Sequence, residues 1–247
     1  MNGAALTPTA RIFELALSQM LWGRRALFMA IAAGAPIVLA IILRVTFAGG
    51  SAVFIVNGNR VDTDAIFTTA VSVLYMRFIV PALGLYYGTS LIADEIEEKT
   101  ITYLFLRPIS RGAIVLGKYL AYLVCANAVV LPSAAVVFAI AVPVAGMGRL
   151  LETLLQELGR AALGLAAYGA LFTLAGVSFK RPLVGGLIFV FGWEQIALVL
   201  PGYLRRLTVA YYLQNPGIGA VVLLAVIVAA IAASIWTIEH REYVLQQ

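Results

Sequence analysis

The chain has 247 residues, of which 62% are hydrophobic and 12% are charged, and its formal net charge is +5. Soluble domains carry about 25% charged residues, so this composition excludes a soluble globular protein and indicates an integral membrane protein. The positive charge does not suggest a nucleic-acid partner, because the basic residues lie at the ends of apolar runs, where orientation in a bilayer explains them.

The first apolar residues recur at helical spacing. From Ala10 to Leu21 they are interleaved with polar residues such as Glu14 and Gln19, which predicts an amphipathic helix at the membrane surface. A frayed N-terminus is the alternative. The segment lacks the continuous apolar core of a cleavable signal peptide. We therefore assign residues 1–25 to a cytoplasmic interfacial helix.

Long apolar runs follow. A helix needs about 20 apolar residues to cross roughly 30 Å of hydrocarbon, and on this criterion the sequence predicts six spans. They are Ala26–Phe47, Ala65–Ala93, Ala113–Val142, Leu155–Phe179, Pro182–Leu200 and Ile218–Ile238. No internal repeat or linker divides them, so residues 1–247 form one all-α transmembrane domain, with spans over 26–238 and a cytoplasmic tail over 239–247.

The basic residues other than Arg77 and Arg160, which lie within spans two and four, divide unequally between the two sides. Ten lie on the side of both termini and five on the other. Because cytoplasmic loops carry the excess of Lys and Arg, both termini are predicted to be cytoplasmic.

Two charged residues lie near the middle of predicted spans, Arg77 in the second and Glu194 in the fifth. At 1.5 Å per helical residue, their depths differ by roughly 5 Å, so the two side chains are predicted to be able to reach each other. An unpaired charge in the bilayer is costly, and such residues usually pair or line a water-filled path. The alternative is that backbone groups or water satisfy each charge separately.

Gly84 and Gly88 add a small-xxx-small spacing to the second span, which permits close approach of another helix.

A patterned, charged segment separates the second and third spans. Acidic residues cluster from Asp94 to Glu98, and an amphipathic stretch then ends at Pro108, which cannot continue a helix. This pattern predicts a short cytoplasmic helix along the membrane surface, followed by Ser110 as the N-cap of the third span. A hydrated turn is the alternative.

A second amphipathic stretch, Tyr203 to Gln214, follows the fifth span. Its apolar residues include Leu204, Leu207 and Tyr211. It is predicted either as a helix at the outer interface or as a loop anchored by tyrosines. Tyr203, Arg205 and Tyr211 are candidates for an outer gate.

The sequence offers no catalytic constellation. Cys125 is the only cysteine and His240 the only histidine, so neither suggests a metal site, and no phosphate-binding Gly-rich loop precedes a Lys and a Ser or Thr. The chain is therefore not expected to be an enzyme or to bind a cofactor.

The run ADEIEEKTITYLFLRPISRGAIVLGKYLA resembles the signature region of permease subunits of type 2 ABC exporters. In that family an acidic cluster ends the second span, and Lys-Thr, a short helix, a Pro-Ile-Ser-Arg turn and Gly-Lys-Tyr follow. The resemblance covers about 30 residues, and the predicted six-span architecture agrees with it.

The resemblance implies two permease subunits, as a homodimer or with a paralogue, and separate ATPase subunits that carry ATP and Mg²⁺, in a prokaryotic inner or plasma membrane. Spans two and five of such permeases face each other between subunits, so Arg77 and Glu194 are expected to pair there or to line the pathway, with Gly84 and Gly88 nearby. The segment that would dock into the ATPase is matched by Glu95, Glu97, Glu98, Lys99, Thr100, Leu104, Phe105, Arg107 and Pro108.

Two other classes remain open. An ion-coupled carrier or channel would use intramembrane charges without an ATPase, although no inverted repeat is evident. A membrane anchor or an integral enzyme is disfavoured by the missing catalytic motifs. Purification with a stoichiometric ATPase subunit would distinguish these classes.

The predicted topology is testable by cysteine labelling in a Cys125→Ala background. Single cysteines at Thr100 and Arg181 are expected to react with a membrane-impermeant reagent only from the cytoplasm, and one at Asn59 only from outside. Labelling of Thr100 from outside would contradict both the topology and the transporter hypothesis.

Overall fold

The computed structural model describes residues 8–22, 24–47, 54–56, 59–61, 73–97, 111–141, 147–199, 203–215 and 217–240. Most of these residues are helical. The α-helices are α1 (Pro8–Trp22), α2 (Arg24–Phe47), α3 (Val80–Glu97), α4 (Arg111–Ala141), α5 (Met147–Ser178), α6 (Pro182–Leu187), α7 (Glu194–Val199), α8 (Val209–Gln214) and α9 (Ile218–His240). Three further helical segments are a first π segment (Tyr75–Ile79), a second π segment (Ile188–Trp193) and a 3-10 helix (Tyr203–Leu207).

Within the described residues, three stretches are long and apolar enough to cross a membrane: Arg111–Ile140, Leu154–Ser178 and Ile218–His240. Two shorter apolar stretches, Leu27–Ile42 and Pro182–Ala197, fall in the predicted first and fifth spans. The chain is therefore a multi-pass membrane protein built from helices, as the composition predicted. The full set of six spans stays a prediction.

A small β-hairpin departs from the purely helical prediction. Strand β1 (Phe54–Val56) pairs antiparallel with β2 (Asn59–Val61). In the sequence, Asn57 and Gly58 separate the strands, and Asn-Gly strongly favours two-residue hairpin turns. This turn signal accounts for a strand pair in a connection where no element was predicted.

Helices α3 and α5 pack in parallel and at close range. A Cβ atom added at Gly84 would lie 2.5 Å from Tyr168 Cβ, and one at Gly88 would lie 2.8 Å from Phe172 Cβ. These separations are shorter than van der Waals contact, so only glycine fits. The small-xxx-small spacing does bring another helix close, and the partner is α5 of the same chain.

Helix α4 packs against most of the bundle through polar side chains that donate to backbone carbonyls. Tyr119 Oη donates to Ala166 O at 2.8 Å and Tyr122 Oη to Leu165 O at 2.9 Å. Lys118 Nζ donates to Leu91 O at 2.8 Å. In a membrane the protein itself must satisfy such groups, so these bonds fix α4 against α3 and α5.

The contacts also establish helix directions. Lys118 meets Leu91, whereas Ser133, further along α4, meets Tyr75 with their hydroxyl oxygens 2.7 Å apart, so α3 and α4 are antiparallel. Arg111 Nη1 donates to Ile238 O at 3.0 Å, which places the start of α4 beside the end of α9. The end of α3, the start of α4 and the end of α9 therefore share one end of the bundle.

Helix α1 has the predicted amphipathic pattern. Ile12, Ala16 and Met20 are buried, whereas Glu14 and Leu15 are exposed. The helix packs against α4 and α2. Its apolar stripe is therefore covered largely by protein, which attaches the predicted interfacial segment to the bundle.

The glycine contacts predict that a Gly→Ala substitution on α3 destabilises the protein instead of stabilising it. Gly→Ala inside a helix usually stabilises by about 1 kcal/mol. Gly88→Ala is instead expected to lower the free energy of unfolding in detergent by about 1–3 kcal/mol, because the methyl group overpacks Phe172. Gly159→Ala on α5, where the added Cβ meets nothing within 4 Å, is the matched control. Equal effects of the two substitutions would contradict the close packing.

Candidate functional site

The two charged residues predicted near mid-span both lie at irregular helical turns. Arg77 belongs to the first π segment, and Glu194 directly follows the second. Single π turns inside α-helices occur frequently at functional sites. The rings of Phe78 and Phe191, one from each π segment, have centroids 6.2 Å apart. The two irregular turns are therefore neighbours in the fold.

Glu194 lies in a closed polar junction. Its side chain is only 2% exposed. The Tyr168 hydroxyl donates to Oε2, and the Val209 backbone N–H donates to Oε1 at 2.9 Å. A buried carboxylate is tolerated when such donors replace its hydration. We call Glu194, Tyr168 and Val209 the carboxylate junction, and it connects α5, α7 and α8.

Thr208 fixes the segment next to this junction. Its side chain accepts a hydrogen bond from Tyr211 N at 3.3 Å as the N-cap of α8, and its hydroxyl donates to Arg205 O at 2.7 Å. Its backbone is extended, with φ −117° and ψ 143°. The 3-10 helix therefore ends before Thr208, and α8 begins after it as a separate helix.

This break corrects the predicted amphipathic helix over Tyr203 to Gln214. The stretch forms two short helices, and the buried residues are Val209, Ala210 and Leu213. Leu207, one of the apolar residues of the predicted stretch, is 65% exposed. The physical reason is Thr208, because a continuous helical pattern does not extend across an extended residue.

The proposed outer gate residues occupy different environments. Tyr203 is 80% exposed, and the Arg206 guanidinium lies 5.0 Å from its ring centroid. Arg205 is exposed, and its carbonyl receives the Thr208 hydroxyl. Tyr211 is half-buried and meets Tyr212 edge to face at 5.2 Å. The three residues flank one break in the chain, and a gating role stays a prediction.

Arg77 has different neighbours from Glu194. It lines a cavity of about 100 Å³ together with Glu157, Arg160 and Gln214. Glu157 Oε1 accepts from Arg160 Nη1 at 2.7 Å. A charge in the bilayer centre costs about 2.5–3.5 kcal/mol on insertion scales. The pairing of Arg77 with Glu194 between subunits stays a prediction, while the Glu194 carboxylate already receives two donors from its own chain.

Most of the residues predicted to dock an ATPase lie outside the described residues. These are Glu98, Lys99, Thr100, Leu104, Phe105, Arg107 and Pro108. Glu95 and Glu97 lie in the last turn of α3, which ends at Glu97. Helix α4 begins at Arg111, directly after the predicted N-cap Ser110.

Sequence reasoning missed Tyr168, Thr208, Glu157 and Arg160 as members of these sites. A tyrosine in the middle of an apolar span indicates a buried polar contact, because its hydroxyl needs a partner when it is buried.

Cys125 and His240 have local contacts, with Cys125 Sγ 3.7 Å from Met29 Sδ and His240 Nδ1 2.9 Å from Trp236 O. Within the described residues no cluster of three His, Cys, Asp or Glu residues is suited to a metal ion.

The family model described as ABC-2 family transporter protein matches residues 74–204, just over half of the chain. The match begins at the first π segment, includes the charged segment after α3 and ends in the 3-10 helix, so it confirms the resemblance predicted from the sequence. No curated protein matches the chain.

The carboxylate junction predicts energetic coupling between Tyr168 and Glu194. Tyr168→Phe and Glu194→Gln are each expected to lower the free energy of unfolding by about 1–3 kcal/mol, because a buried polar group loses its partner. The double variant is expected to lose less than the sum, with a coupling of about 0.5–3 kcal/mol in a double-mutant cycle measured by denaturation in detergent.

Tyr86→Phe is the matched control for this cycle. The Tyr86 ring packs on Phe28 with centroids 4.4 Å apart, and its hydroxyl has no hydrogen-bond partner in the part of the chain that the structure describes. Its effect is expected to stay within about 0.5 kcal/mol. Simple additivity of Tyr168→Phe and Glu194→Gln would show that the two residues are not energetically coupled.

Proposed function

The chain belongs to the ABC-2 transporter family, and we propose that it is the permease subunit of an ATP-driven exporter, forming the substrate pathway as a dimer with separate ATPase subunits. The family match over residues 74–204 carries this proposal. It includes the sequence from Glu95 to Pro108, where the resemblance to ATPase-docking segments lies, and also Arg77 and Glu194.

Energy would reach this chain from its partner. The family implies association with an ABC ATPase. In the proposal, ATP and Mg²⁺ bind that ATPase, and this chain is not itself an enzyme. We further propose a second permease subunit, identical or paralogous, cytoplasmic termini and a location in a prokaryotic inner or plasma membrane.

The packing of α3 against α4 supports the coupling route. The proposed docking segment connects these two helices, and Lys118 Nζ ties α4 to Leu91 O of α3 at 2.8 Å. A force applied between Glu97 and Arg111 therefore acts on two helices that are already bonded to each other. An amphipathic helix held by short connections can act as a lever on such a pair.

The carboxylate junction suggests how the opposite end of the bundle would respond. Glu194 is bonded both to Tyr168 of α5 and to Val209 at the start of α8. Movement of α5 would therefore displace the short helices that carry Tyr203, Arg205 and Tyr211. We propose that these helices form the outer gate of the pathway.

The coupling proposal predicts a specific loss of partner association. Phe105→Asp is expected to leave the permease inserted but to reduce the co-purified ATPase subunit by roughly tenfold, because a carboxylate would be desolvated in the docking interface. The measurement is the stoichiometry of the ATPase after affinity purification of the permease, together with transport-stimulated ATP hydrolysis.

Phe179→Asp is the matched control, because Phe179 is an exposed aromatic residue at the predicted cytoplasmic turn after α5. It is expected to retain the ATPase. Full association and coupling in Phe105→Asp would contradict docking at this segment. A wild-type permease that never co-purifies with an ATPase would instead favour an ion-coupled carrier or a channel.

A further inference from the structure

We propose that the cavity beside Arg77 is a binding site for a phosphate-type oxyanion, supplied either by a lipid headgroup or by a soluble anion. The inference deepens the proposed permease function, on which it rests for a place along the transport pathway. The binding itself is a property of this chain and can be measured without transport.

The cavity lies where three elements meet. The first π segment contributes Arg77, α5 contributes Glu157 and Arg160, and α8 contributes Gln214. Apolar side chains, including Met76 and Leu213, complete the lining. The polar groups are therefore concentrated in a small space with apolar walls, as is usual for specific ligand sites.

The charges of the lining favour an anion. Among the described residues, two guanidinium groups and one carboxylate line the cavity. Arg160 Nη1 bonds Glu157 Oε1 at 2.7 Å, whereas Arg77 forms no hydrogen bond or ion pair with another residue in the described part of the chain. The cavity therefore carries an excess positive charge at Arg77, and an anion there would remove the cost of holding that charge within the membrane domain.

The size and geometry of the lining restrict the anion further. A cavity of about 100 Å³ is well below the roughly 300–1,000 Å³ of pockets that enclose drug-sized ligands. This suits a phosphate group better than an entire lipid or drug molecule. Arginine presents a planar fork of donors that matches phosphate oxygens in pairs, and the Gln214 amide supplies a further neutral donor.

The test uses the full chain purified in detergent without an ATPase. Native mass spectrometry follows the titration of phosphatidylglycerol, with phosphatidylcholine as the zwitterionic comparison. The wild type is expected to bind phosphatidylglycerol selectively. Arg77→Gln is expected to weaken that binding by roughly tenfold, because one charge-assisted interaction is lost.

Two further variants make the result decisive. Glu157→Gln removes the one carboxylate that the structure describes in the lining and is expected to tighten binding several-fold, the opposite sign to Arg77→Gln. Arg181→Gln, at an exposed arginine outside the cavity, is the matched control and is expected to bind as the wild type does. Should Arg77→Gln fail to fold, Glu157→Gln still tests the sign of the electrostatic effect.

Inorganic phosphate, added as a competitor, distinguishes the two sources of the oxyanion. Displacement of the lipid assigns a site open to soluble anions, and failure to displace it assigns a headgroup site. Unchanged binding in Arg77→Gln, or weaker binding in Glu157→Gln, would overturn the inference. If ATPase co-purification persists in that case, the proposed permease function stands without it.

Discussion

A carboxylate in an apolar bundle must find its donors within the protein, and this constraint organises the part of the fold that follows α5. Glu194 meets it by receiving the Tyr168 hydroxyl and the Val209 backbone N–H. The second donor is accessible because Thr208 interrupts the helix, so that the Val209 N–H at the start of α8 has no acceptor within its own helix. The helix break at Thr208 therefore provides a donor that the buried Glu194 carboxylate needs.

The same constraint explains the polar contacts of α4. Tyr119, Tyr122 and Lys118 all donate to backbone carbonyls of neighbouring helices. Ser133 likewise donates to Ala33 O at 2.6 Å while it meets the Tyr75 hydroxyl. Apolar side chains gain little by facing another helix instead of lipid. These hydrogen bonds therefore determine the orientation and the register in which the helices pack.

The sequence predicts the features of the fold that depend on composition. The apolar runs around α4, α5 and α9 are continuous, so their position followed from length and hydropathy. The amphipathic pattern of α1 also predicted its buried residues. The close approach at Gly84 and Gly88 was expected from their spacing, although spacing alone does not identify the partner helix.

Features that depend on long-range contacts were not accessible in this way. The π segments around Arg77 and before Glu194 have no periodic signature in the sequence that would predict them. Tyr168 is separated from Glu194 by 26 residues, so only the fold shows that they meet. The hairpin, in contrast, has a local signal, because Asn57-Gly58 is a dipeptide that favours two-residue turns.

The parallel packing of α3 on α5 constrains how these helices can move. Gly84 fits against Tyr168 and Gly88 against Phe172, so the contact repeats every four residues on both helices. Sliding by less than one repeat would drive a large side chain into the neighbouring backbone, and one full repeat corresponds to about 6 Å. The two helices are therefore interlocked. They move together as a rigid body, or one shifts along the other by a full four-residue repeat. Gradual sliding between these two helices is thus excluded. Rearrangement is expected at the other helix–helix contacts, where the packing is less close.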